Sequence, residues 1–237
     1  PPILVAEISS NNLTNSTHAT DGDTITLTIT MDASTNKPTV TFKSGGDDIS
    51  GTVVYDPSAG ISKTWKASYD VSSADTDGDV TIDGSVNDLA DNWTSNFTTI
   101  SGDTVTVDKV VPSITTAEIK SNNALDTTLA KSGDKITLTL VMDASTNTPD
   151  VTFKSGGNPI TNTPIYDPSN VESKSWSVSY IVHDSDTDGV ITIDVDVNDL
   201  AGNNKSDAQA FTDGKDVTIN RTNPVISNVA FSWGDTL

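Results

Sequence analysis

The sequence predicts an all-β protein built as two tandem antiparallel β-sandwiches, and three observations predict it. Shifted by 111 residues the chain falls on itself: Pro1 meets Pro112, Asp23 meets Asp134, Trp65 meets Trp176 and Asp88 meets Asp199, and 56 of the first 96 pairs are identical. Apolar residues alternate with polar ones at a period of two, the pattern of half-buried strands. Thr, Ser, Asp and Asn are abundant while Glu, Leu and Arg are scarce, a bias toward strands and turns and away from helix.

The repetition sets the expected domain limits. The match runs without a gap to about residue 96, and one residue is then inserted near Ala208, so that Pro112 falls on Pro224. Repeat 1 is expected over residues 1–111, repeat 2 over 112–223, and the truncated start of a third over 224–237. The chain reads as a segment excised from a longer repetitive protein.

Seven strands are expected in each repeat. In repeat 1 the first runs from Ile3 to Ile8. In the second, Ile25, Leu27, Ile29 and Met31 alternate with Thr24, Thr26, Thr28 and Thr30. Val40 and Phe42 mark the third, and residues 52–55 give a weak fourth. Trp65, Ala67, Tyr69 and Val71 mark the fifth, Val80, Ile82 and Val86 the sixth, and Val105 with Val107 the last. Clusters such as Ser44-Gly45-Gly46 and Asp56-Pro57 separate them. Seven short strands in roughly 110 residues suit an immunoglobulin-like sandwich. Each copy can bury two aromatic residues and about a dozen aliphatic ones, enough for a modest core.

Charge narrows the function. The 237 residues carry 33 Asp+Glu against 13 Lys+Arg, a formal charge of −20, and no Cys. Nucleic-acid binding, which rests on cationic contacts to phosphate, is excluded as an expectation. No stretch approaches the roughly 18–20 apolar residues of a membrane span, so membrane insertion is not expected either. Disulfides are unavailable to brace the fold, and divalent cations suit an Asp-rich chain as the alternative cross-link.

The elements GDTITLTIT (22–30), DTDG (75–78 and 186–189), VNDLADN and VNDLAGN (86–92 and 197–203) and VTVDKVVP (105–112) resemble the bacterial immunoglobulin-like repeats that form the extender regions of large RTX-type surface adhesins. The resemblance covers essentially the whole chain. It implies secretion by a Gram-negative bacterium, an extracellular place at the cell surface, and a role as a stalk that holds binding domains away from the cell. It also implies Ca²⁺ at the joints between repeats. The first joint reads Asp108-Lys109 but the second reads Asn220-Arg221, without the carboxylate, and Asp91 replaces the Gly found at Gly202.

Chain alternation supplies a separate case for calcium. With seven strands the chain enters a sandwich at one pole, here the leading pole, and leaves at the other, the trailing pole. Asp21, Asp75 and Asp77 of repeat 1 should then share the trailing pole with Asp108, facing Asp143, Asp199 and Asn203 at the leading pole of repeat 2. These seven are the expected metal ligands, since Ca²⁺ takes six to eight oxygens. The run Asp184-Ser-Asp186-Thr-Asp188-Gly189 resembles half an EF-hand loop, but its twelfth position is Val195 and its flanks read as strands, so a self-contained EF-hand is not expected.

Catalysis is not expected. His18 and His183 occupy non-equivalent positions of the repeat, and no Gly-x-Ser-x-Gly elbow or phosphate-cradling loop occurs. The Thr24–Thr30 row is expected to be the polar side of an amphipathic strand rather than an ice-binding face. The six Asn-x-Ser/Thr sequons are close to what chance gives in so Asn- and Thr-rich a chain. The reading is thus a structural spacer of a cell-surface adhesin, monomeric as a fragment, whose partners are its neighbouring repeats. The alternatives are an S-layer or surface-filament subunit and a carbohydrate-binding module in which Trp93 stacks on a sugar, although Trp93 is expected to pack at a domain boundary.

Overall fold

The computed structural model describes residues 1–98 and 101–229 and, at 207 and 208, the backbone alone. Repeat 1 holds β1 (Ile3–Ser10), β2 (His18–Ala19), β3 (Thr24–Asn36), β4 (Thr39–Ser44), β5 (Asp47–Asp48), β6 (Val54–Asp56), β7 (Ile61–Asp70), β8 (Gly78–Asn87), β9 (Trp93–Phe97) and β10 (Thr106–Val107). Repeat 2 follows with β11 (Ile114–Ser121), β12 (Leu129–Ala130), β13 (Lys135–Thr146), β14 (Asp150–Ser155), β15 (Asn158–Pro159), β16 (Ile165–Asp167), β17 (Ser173–Ile181), β18 (Gly189–Asn198), β19 (Asn204–Gln209) and β20 (Thr218–Ile219).

In repeat 1 one sheet runs β1-β3-β7-β6 and the other β2-β10-β8-β4-β5, with β9 also on β8. Repeat 2 has the same order, β11-β13-β17-β16 and β12-β20-β18-β14-β15, with β19 on β18. This is the strand order of an immunoglobulin-like sandwich. The expected seven strands become ten because three that were not expected are added: β2, which carries the chain on from the first strand into the other sheet, the two-residue hairpin strand β5, and β9, which precedes the last strand and also pairs with β8. Pairing is antiparallel throughout except that β2 lies parallel to β10, and β12 to β20.

The additions β2 and β9 have a physical reason. After the first strand the chain crosses from one sheet to the other, and after β9 it leaves β8 and reaches across to β1. There Ser101 donates its backbone N–H to the Ala6 carbonyl at 2.6 Å, and Thr212 does the same to Ala117 at 2.8 Å. This covers part of an edge strand that would otherwise present unpaired backbone groups. Ser101 and Thr212 are 111 residues apart, so the extra residue of repeat 2 enters after Thr212, in the turn before β20, and not near Ala208 as the sequence alignment suggested.

Alternation along β3 and β13 buries Ile25, Leu27, Ile29 and Met31, and Ile136, Leu138, Leu140 and Met142, while the Thr24–Thr30 row stays half-buried on the outer face. Each repeat buries three aromatic side chains rather than two: Phe42, Trp65 and Tyr69, and Phe153, Trp176 and Tyr180. Phe42 tilts against Tyr69 with ring centroids 5.0 Å apart, and Phe153 against Tyr180 at 5.1 Å. A Tyr on the short β6 strand ties the layers together, its hydroxyl accepting the Val40 N–H at 2.9 Å.

Each buried Trp needs an acceptor for its indole N–H. Trp65 donates to the Thr35 hydroxyl at 3.0 Å and Trp176 to Thr146 at 3.1 Å, both threonines fully buried. Both follow irregularities in β3 and β13, and each also pairs by backbone with an Asp of the loop after the sixth strand, Thr35 with Asp88 and Thr146 with Asp199. Core and leading-pole loop are thus joined through one threonine. Repeat 2 ends its regular structure at Ile219; residues 224–229 form no strand, and 230–237 of the expected third unit lie outside the described residues.

Thr146→Val keeps the shape of the side chain and removes the acceptor. The orphaned indole N–H should destabilise repeat 2 by about 1–3 kcal/mol, read from denaturant unfolding followed at Trp176. No change in midpoint would mean that the N–H finds another partner.

Candidate metal centre at the joint between the repeats

The linker between β10 and β11 is six residues, 108–113. Its second residue fixes its course. Lys109 Nζ lies 3.3 Å from Asp77 Oδ1 and also donates to the Ser73 and Asp75 carbonyls. Arg221 repeats the arrangement after repeat 2, its Nε 2.7 Å from Asp188 Oδ1 and its Nη1 on the Asp184 carbonyl. In both repeats a linker cation therefore seals the DTDG turn. The turn itself is clamped by the Ser-Gly-Gly turn, because a Cβ on Gly78 would stand 2.7 Å from the Gly45 Cα. Only glycine allows that approach.

The first Asp of that motif, Asp75, is buried and serves its own loops. Burial pushes its carboxyl up, but N–H groups of Ser50 and Ser72 and the Ser50 hydroxyl outweigh burial and hold it below the usual range. Its counterpart Asp186 accepts from Thr161 and His183 N–H, both at 2.8 Å. Asp143 caps the start of β11, accepting the Ser113 N–H and hydroxyl, which lower its pKa. Asp21 is exposed. Among the described residues no three His, Cys, Asp or Glu side chains come together as a metal cluster, so the seven expected ligands do not gather at one point.

What the joint does bring together is smaller. Asn203 is its centre: its Oδ1 accepts the Thr20 hydroxyl at 2.7 Å, and its Nδ2 donates to the Asp108 carbonyl and to Asp199 Oδ2, both at 2.9 Å. Asn12, which sequence reasoning did not single out, donates to Asp23 Oδ2 at 2.6 Å and across the joint to the Ala201 carbonyl at 2.8 Å. The signal was present: Asn123 and Asp134 repeat that pair at 2.9 Å. Gly202 allows the close approach, since a Cβ there would lie 3.2 Å from Thr14 Oγ1.

The joint changes the electrostatics of one turn. Asp88 and Asp199 hold identical local hydrogen bonds, accepting from the N–H of residues two and four further on and from an Asn side-chain amide. In repeat 1 the turn is exposed, and the Asn92 bonds hold Asp88 below the usual carboxylate range. In repeat 2 the turn is covered by repeat 1 and Asp199 is 2% exposed. Burial pushes its carboxyl up, the negative charge of Asp108 adds to that, and the same hydrogen bonds no longer prevail. Asp199, Asn203 and Thr20 are thus linked at the joint, and the charge of Asp108 is near enough for Asp199 to feel it; oxygen donors of these kinds are those that Ca²⁺ takes.

His18 contacts Thr17 and His183 contacts Ser185. Trp93 is 59% exposed at the leading pole of repeat 1, its indole donating to Asp91 Oδ1 at 3.1 Å. Among the described residues it is the only exposed aromatic, and no helix is long and apolar enough to cross a membrane.

No family model matches the chain, and no curated protein matches it. Solved structures that resemble it include the titin domains z1z2 in complex with telethonin, at 12% identity over 93% of this chain and 98% of that one, TM-score 0.27. Others are the fibronectin(III)-like modules of Clostridium thermocellum CbhA, at 14% identity over 90% and 93%, TM-score 0.32, and the mouse nectin-like molecule 4 ectodomain, at 11% over 94% and 66%, TM-score 0.33. At such scores the likeness carries no argument about ligand or partner, and the fold assignment rests on the strand order itself.

Two outcomes follow from this geometry. Asp199 has a folded pKa above its ordinary value of 3.8, so its ionisation opposes the closed joint. Its penalty is absent below 3.8 and grows as pH rises through the raised value. Carboxyl NMR titration should place Asp199 above and Asp88 below 3.8; equal midpoints would remove the like-charge joint. Lys109→Met should leave unfolding nearly unchanged, since partly exposed ion pairs contribute only about 0–1 kcal/mol. It should loosen the orientation of the two repeats, seen in residual dipolar couplings as two independent alignment tensors.

Proposed function

We propose that this chain is a spacer: a run of sandwich repeats, over residues 1–111 and 112–223 with a third beginning at 224, that extends and orients other domains of a secreted, cell-surface adhesin without catalysing a reaction. Its partners are the neighbouring repeats of its own chain, and the fragment is monomeric in dilute solution. The observation that carries the reading is the joint, where Asn12, Thr20 and Asn203 bond one repeat directly to the next across a six-residue linker. Such a joint fixes an angle, which is what a stalk requires.

In this reading Ca²⁺ is the joint's cofactor. Asp108, Asp199 and Asn203 hold it, with water completing the shell. The ion neutralises two carboxylates whose mutual proximity otherwise costs stability. If ambient calcium is about 100-fold above Kd, mass action stabilises the bound joint by about 2.7 kcal/mol. Asp75 is kept out of the metal shell by its own loop hydrogen bonds and Asp77 by Lys109, whereas Asp143 and Asp21 stand at the periphery.

The test is small-angle X-ray scattering with millimolar calcium and with chelator, beside calorimetric calcium titration of the chain and of Asp108→Asn and Asp199→Asn. A long, fixed maximum dimension that broadens in chelator, with heat of binding lost in both variants, is expected. An unchanged profile with no heat would leave a spacer held by direct hydrogen bonds alone.

A further inference from the structure

Among the described residues, two buried side-chain polar atoms lack a hydrogen-bond partner, the hydroxyls of Tyr69 and Tyr180. Both side chains are 1% exposed and hold the same position of the repeat, at the trailing-pole ends of β7 and β17. A hydroxyl left unpaired in a core is costly, and a buried tyrosine ordinarily finds a partner for it.

Each of these hydroxyls lies under a loop that carries a buried aspartate. Tyr69 tilts against Phe42, whose carbonyl accepts the Ile49 N–H at 3.3 Å, and the next residue, Ser50, gives its N–H to Asp75 Oδ1 at 2.8 Å. From the other side, Ser72, just beyond Tyr69 in the chain, gives its N–H to Asp75 Oδ2 at 2.9 Å. Repeat 2 closes the same ring through Phe153, Ile160, Thr161 and Asp186, although His183 stands where repeat 1 has Ser72. The aspartate's charge reaches the hydroxyl: burial pushes Tyr69 and Tyr180 up, and Asp75 and Asp186 add to that. Neither carboxylate is saturated. Of about four acceptor positions, Asp75 uses three and Asp186 two. We propose that each repeat binds one internal water molecule between its buried tyrosine and its buried aspartate, accepting from the hydroxyl and donating to the carboxylate. A shielded donor beside an acceptor that it does not reach directly supplies the two polar partners that an internal water needs. A metal ion suits this place less well, because the carboxylate oxygens are already turned to N–H donors and Ca²⁺ takes six to eight oxygens.

The consequence is mechanical. Trp65 and Tyr69 both face the core from β7. Trp65 is tied through Thr35 to the leading-pole loop of Asp88, and Tyr69 is tied through water to the trailing-pole loop that Lys109 of the linker grips. One strand thus anchors the loops of both poles.

The site uses neither the joint nor a metal, so its test is run in chelator on the full chain. Water-oxygen magnetic relaxation dispersion counts long-lived waters, and NMR cross-relaxation shows which hydroxyl protons they touch. Cross-peaks from water to the Tyr69 and Tyr180 hydroxyls are expected. Tyr69→Phe and Tyr180→Phe keep the rings on Phe42 and Phe153; each should remove the dispersion amplitude of one water, and the double variant that of both. An amplitude unchanged in the folded variants overturns the proposal. So does a hydroxyl proton bonded directly to the carboxylate with no water cross-peak, a result read on the unaltered chain and therefore independent of whether a variant folds.

Discussion

Asp199 carries the joint. Its carboxylate accepts two backbone N–H groups and an Asn amide, which in the open turn of repeat 1 is enough to favour the charged form at Asp88. Covered by the preceding repeat and placed near Asp108, the same set of bonds is outweighed. The interface therefore contains a charge that is satisfied locally and opposed globally.

The turn can bear that role because it is tied to the core. Thr146 accepts the Trp176 indole and pairs by backbone with Asp199, while Asn147 donates to the carbonyls of Asn198 and Asp199. A change in the joint is therefore felt two residues from the largest buried side chain of the repeat. Cation roles elsewhere are taken by the chain itself. Lys109 and Arg221 each close a DTDG turn, which leaves Asp77 and Asp188 neutralised and gives the linker its direction. The acidic surplus of the sequence is thus not one reservoir of metal ligands. Part of it caps loops, part pairs with linker cations, and a small remainder faces the neighbouring repeat.

Most of the fold was legible in the sequence. Period-two alternation from Ile25 to Met31 and from Trp65 to Val71 marks central strands because one face of each must be buried and the other not. Glycine pairs and Asp-Pro steps mark turns because few other residues adopt those backbones. The added strands β2 and β9 were not legible. They arise where the chain leaves one sheet for the other, and crossing depends on the opposite sheet's edge rather than on local composition. The third buried aromatic, the position of the inserted residue after Thr212 and the role of Asn12 share that cause, each being defined by a contact with residues far away in sequence.

By itself the sequence determined that two like sandwiches stand in tandem, where their strands run and which side chains fill their cores, because those properties follow from periodic, local patterns repeated twice. Only the tertiary structure decided which of the many aspartates face a neighbour. VNDLA occurs in both repeats with the same internal hydrogen bonds, yet Asp88 and Asp199 are displaced in opposite directions from the ordinary carboxylate value. The difference lies in desolvation by the adjoining repeat and in the charge of Asp108. Neither is a property of the motif; both are properties of what is packed against it.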